Sequence, residues 1–110
     1  MAKKPKAGKD RERLRALVEE ATVDCYDEHE QLLGLANMIE ENVACPFRAR
    51  VIGEEVTVPG FDFTGQSVFA LCERKTKTYR VEVSSLELPE PLPEGFEWIE
   101  AYLAWREWNS

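Results

Sequence analysis

A chain of 110 residues that is 44% hydrophobic and 32% charged, with three Trp, three Tyr and five Phe, is long enough for one globular core and too short for two. Its net charge of −7 is uneven: seven of the fourteen basic residues lie in the first fifteen positions, so residues 16–110 carry seven basic against nineteen acidic side chains, net −12. That field repels phosphate backbones and attracts cations; with no apolar run near the ~20 residues of a membrane span and no secretory leader, the reading is a cytoplasmic protein without nucleic-acid or membrane partners.

Residues 1–9, rich in Lys with Pro and Gly and lacking periodic apolar positions, read as a disordered basic tail ahead of a single domain at 10–110. From Asp10, an acceptable N-cap, Leu14, Leu17, Val18 and Ala21 recur at helical spacing. A second stripe runs Cys25, His29, Leu32, Ala36, Ile39, Val43, as an amphipathic helix requires. Asp27 followed by Glu30 has the form of a capping box, so a break near Tyr26 is an alternative to one long helix. Pro46 disfavours helix at Cys45 and ends the helical half.

From Phe47 the period becomes two. Phe47, Ala49 and Val51 alternate with Arg48 and Arg50, and Val56 and Val58 follow Gly53 before the turn signal Pro59-Gly60. A loop is expected over Pro59–Gly65. Ser67 to Glu73 and Thr78 to Val83 flank a charged turn at Arg74–Lys77 and predict a hairpin, and Leu86–Leu88 offers a fifth short strand. The fold class is therefore α+β: N-terminal helical segments, a small antiparallel SH3-like barrel or twisted sheet, and a C-terminal helix starting near Glu94. In that last helix Trp98, Ile99, Tyr102, Leu103 and Trp105 form an apolar face that belongs in the core.

The acidic residues are concentrated. Residues 16–47 hold eight Asp and Glu and no Lys or Arg. On a continuous helix Asp24, Asp27 and Glu28, at i, i+3 and i+4, share one face, near enough for one cation. Glu40 and Glu41, followed by Asn42, make a second oxygen-rich group about 20 Å further along such a helix. One ion cannot bridge that distance. Two sites, a break near Tyr26 or Gly34 that folds the groups together, or oxygens borrowed from the expected loop around Asp62 would each satisfy a hard cation that wants roughly 6 to 8 oxygens. The bland reading stands beside these: Asp27 caps a helix, Glu28 occupies its favourable first turn, Asn42 caps its end, and Asp24 is simply solvated.

Other chemistries are poorly supplied. No window has the order of acids, Gly and Glu of an EF-hand loop. Cys25, His29 and Cys45 lack a fourth soft ligand for zinc, and no nucleophile elbow or Gly-rich loop accompanies Cys25, Ser84 and His29, so no enzyme is expected. Three cysteines without a Cys-x-x-Cys pair suit a reducing compartment.

The run Val23-Asp24-Cys25-Tyr26-Asp27, then Glu30 and Gly34, then Ile39-Glu40-Glu41-Asn42 and Pro46-Phe47, with a Trp-containing C-terminal helix, resembles the CcbP-like family of small acidic calcium-binding proteins best known from cyanobacteria. The resemblance implies Ca²⁺ binding without an EF-hand, through surface carboxylates, on helices plus a small β-barrel. Carried over by position it points to Asp24, Asp27 and Glu41, with Glu28 and Glu40 beside them. Where the family tends to carry aromatics after Gly34 this chain has Leu35-Ala36, and Glu41 stands where Asp is usual. Two functions are thus expected to compete: a Ca²⁺ buffer or sensor, and a metal-free module that binds a protein through an SH3-like barrel or the C-terminal aromatic face.

Overall fold

The computed structural model describes residues 7–64, 66–88 and 91–109. Two helices, α1 (Ala7–Ala21) and α2 (Glu28–Asn42), precede four strands, β1 (Phe47–Val51), β2 (Glu54–Thr64), β3 (Ser67–Arg74) and β4 (Lys77–Glu82); one 3-10 turn (Val83–Ser85) then leads to α3 (Glu97–Trp108). Helix α1 begins at Ala7 rather than Asp10, so three residues assigned to the tail are helical, and the remainder of that expectation, residues 1–6, lies outside the described residues.

The strands form one antiparallel meander in the order β1-β2-β3-β4. This is the open-sheet form of the expected architecture, since β4 does not pair back onto β1 among the described residues. The fifth strand reduces to a bridge between Arg50 and Glu87. The β1–β2 turn is Ile52-Gly53, both at positive φ (50° and 78°), as the two-residue hairpin turn that follows strand twist requires.

Pro59-Gly60 is not a turn and Pro59–Gly65 is not a loop, because β2 runs through to Thr64. The register against β3 shifts by one between Thr57 and Gly60. That bulge lets the chain keep its apolar side inward: Val56 and Val58 face the core before it, and Phe61 after it, with the sequence parity reversed. A strand with a bulge and a strand ending in a turn share the same Pro-Gly signal locally; the buried phenylalanine beyond it decides.

The helices close the core. Leu32, Leu35, Ala36 and Ile39 of α2 are buried in one cluster with Val18 and Ala21 of α1, with Ala49, Val58, Val68, Ala70 and Cys72 of the sheet, and with Trp98, Ile99, Tyr102 and Trp105 of α3. Gly34 is required where α2 crosses the end of α1, since a Cβ there would collide with the Ala21 carbonyl oxygen. Tyr102, 2% exposed, accepts hydrogen bonds from the Val68 backbone N–H (3.0 Å) and from Arg106 Nη1 (2.9 Å), and the Trp105 indole N–H donates to Gln31 Oε1 (2.9 Å). The aromatic face of α3 is therefore largely spent on the core, as its size demands, with Trp105 left 8% exposed.

Candidate metal-binding site

The chain between α1 and α2 builds the first acidic group. Helix α1 ends as Thr22 N–H and Thr22 Oγ1 both donate to the Val18 carbonyl (3.0 and 2.7 Å), and Asp24, at φ 66°, turns the chain in the left-handed region that Asp tolerates. Asp27 is the N-cap of α2: it is extended (φ −138°, ψ 175°) and its carboxylate accepts the Glu30 backbone N–H at 2.9 Å. Glu30 Oε1 accepts the Tyr26 N–H at 2.7 Å. The capping box is thus present, with its return bond displaced one residue, to Tyr26 in place of Asp27.

This geometry corrects one expectation. Asp24, Asp27 and Glu28 do not share a face of a continuous helix, because Asp24 lies in the connection, Asp27 caps, and only Glu28 is helical. All three are exposed. Partial burial raises the pKa of the Cys25 thiol, and the neighbouring carboxylates of Glu30, Asp24 and Asp27 add to it in that order.

Glu40 and Glu41 sit in the last turn of α2, exposed, with no basic residue in that turn. Asn42 donates its Nδ2 to the Met38 carbonyl (2.9 Å), while the C-cap itself is Val43, whose N–H bonds the Ile39 carbonyl (3.0 Å). The Ala44 N–H donates to the Glu94 carbonyl (2.8 Å), and Gly95, at φ 85°, packs against the Asn42 carbonyl so closely that no Cβ fits. The approach to α3 is in this way fixed on the end of α2.

Helix α2 is unbroken from Glu28 to Asn42, so Glu28 and Glu40 stand about 18 Å apart along its axis. The break near Tyr26 exists, but it precedes Asp27 and does not fold the two groups together; Gly34 lies inside the helix. No single ion can take ligands from both ends. Among the described residues no group of three or more His, Cys, Asp and Glu is arranged to hold a metal. Asp62 is also displaced from its expected role: it lies in β2 and pairs with Arg80 at 3.2 Å. His29 is exposed, not on the buried stripe, and Cys45 is exposed while Cys72 is buried.

One feature was not singled out in the sequence. Helix α1 also ends in adjacent glutamates, Glu19 and Glu20, again with no basic side chain in its last turn. The repeated Glu-Glu at two helix ends becomes meaningful only when the helix boundaries are known.

A family model described as calcium binding, that of the CcbP family, matches residues 15–106. The crystal structure of Anabaena CcbP superposes with a TM-score of 0.72 at 17% identity, covering 96% of this chain and 95% of that one, which shows a common fold. No curated protein matches the chain. The chain belongs to the CcbP calcium-binding family.

Proposed function

We propose that the protein is a non-EF-hand Ca²⁺ binder, a buffer or sensor, that recruits the ion through surface carboxylates at the ends of α2. The observation that carries this reading is the placement of Glu40 and Glu41 in the last turn of a helix with no basic partner there. A helix C-terminus bears partial negative charge, and each anionic side chain in that turn is unfavourable by about 0.3–1 kcal/mol. A divalent cation relieves the dipole and the carboxylate repulsion together.

The Asp24, Asp27, Glu28 group is the second place for an ion, but there Asp27 already serves the backbone and Glu28 is favoured by the positive end of the same helix. With two or three carboxylates per group, water and backbone carbonyls complete the shell. On this reading the protein acts by binding and not by catalysis.

Calorimetric titration of chelator-stripped protein with Ca²⁺ and with Mg²⁺ tests the reading. Saturable heat at micromolar to sub-millimolar Ca²⁺, reduced in Glu41→Gln, is expected. No heat with either ion would overturn it.

A further inference from the structure

The acidic segments at 16–47 and 81–110 contain one histidine and one basic residue between them, His29 and Arg106, and both line the same cavity. This groove, of about 630 Å³, lies between the first turn of α2, the start of β3 and the last turn of α3. Leu32 and Trp105 supply its apolar wall, and Gln66 and Asn109 its amides.

Arg106 is held in place from behind. The two N–H groups of its Nη1 are shared among the Gln66 carbonyl (3.2 Å), Ser67 Oγ (2.7 Å) and the Tyr102 hydroxyl (2.9 Å), and Ser67 in turn donates to Glu82 Oε2 (2.8 Å). All three contacts use one nitrogen, so Nε and Nη2 have no partner among the described residues. An oriented guanidinium with one free edge matches the two oxygens of a carboxylate.

We propose that this groove binds a small organic carboxylate, its carboxyl group on the free edge of Arg106 beside His29 and its apolar body against Leu32 and Trp105. Glu28, the acidic residue of the lining, opposes the ligand, as does the net charge of −7, so the affinity belongs in the millimolar range. Glu28 belongs both to this lining and to the N-terminal acidic group, but the site takes an anion where that group would take a cation, and the metal-free titration below keeps the two apart.

Phenylacetate is a suitable probe, with phenylacetamide as its neutral counterpart, titrated into protein freed of metal on a chelating resin so that no carboxylate chelator competes. The Arg106 Nε–H and Trp105 indole N–H resonances are followed by ¹⁵N-correlated NMR. A saturable shift of both is expected below about 10 mM, ten times the dissociation constant of a weak millimolar site, and none with the amide. Glu28→Gln should tighten binding severalfold and His29→Gln should weaken it; both positions are exposed, so neither change threatens the fold. Arg106→Gln should abolish binding, with circular dichroism confirming that the chain remains folded. Equal shifts with acid and amide, no saturation in the parent protein, or unchanged affinity in both Glu28→Gln and His29→Gln would overturn the proposal.

Discussion

The two ends of α2 carry similar residues and use them differently. At the N-terminal end Asp27 accepts the Glu30 N–H and Glu30 accepts the Tyr26 N–H, so two carboxylates satisfy backbone donors that the helix leaves open. At the C-terminal end Glu40 and Glu41 lie at the negative pole of the helix dipole, and no cationic side chain occupies the turn. The same acid therefore stabilises one end and strains the other. An acidic residue at a helix start explains itself through folding, whereas a pair at a helix end gains nothing from the helix itself.

The largest expected effect is that of the ion on the whole fold. Ca²⁺ at a hundredfold excess over its dissociation constant stabilises the native state by about 2.7 kcal/mol, which for a domain of this size raises the Tm by on the order of 10 °C. Scanning calorimetry at matched ionic strength checks this, because screening alone relieves part of the acidic repulsion. Identical curves with Ca²⁺ and with Na⁺ would remove the ion from the account of the C-terminal end.

Next in size is the joint substitution Glu40→Gln and Glu41→Gln. It should weaken Ca²⁺ binding about tenfold or more, near 1.4 kcal/mol, while raising the stability of the metal-free protein by several tenths of a kcal/mol as anions leave a helix C-terminus. Opposite signs from one variant mark a functional pair; a loss of metal-free stability in urea unfolding would instead give the glutamates a structural role.

Asp27 should behave in the reverse manner. Asp27→Ala is expected to cost about 1 kcal/mol without any metal, because the Glu30 N–H loses its acceptor, and Asp27→Asn should cost only a few tenths. If Asp27→Asn also leaves the Ca²⁺ isotherm unchanged, the N-terminal group is purely a cap. A weakened isotherm would make both ends of α2 metal sites.

The smallest expected signal tells the ends apart directly. Tyr26 is 87% exposed and lies between Asp24 and Asp27, so Tb³⁺ bound at that end is sensitised by tyrosine excitation, and a Tyr26→Leu variant should lose that emission. Emission that persists in full places the bound ion away from the N-terminal end.

Much of this molecule was legible in its residues. The apolar stripe of Leu32, Ala36 and Ile39 marked α2, though it also took in the exposed His29, the Asp27 and Glu30 pair offered its start as one of two alternatives, and the alternation of Phe47, Ala49 and Val51 marked β1, because spacing and capping are local and act within a few residues of chain. The size and hydrophobicity of Trp98, Tyr102 and Trp105 were enough to assign them to the core. What tertiary structure alone decided were the features set by distant partners. Pro59-Gly60 became a bulge because Phe61 must pair across β3 with Ala70 and still face inward. Asp62 became an ion-pair partner because β4 brings Arg80 to it. The two acidic groups were not folded together because the break falls before Asp27 and Gly34 lies inside α2, packed against the Ala21 carbonyl. Charge content is written in the sequence, but which charges meet depends on where helices stop, and that was settled by packing.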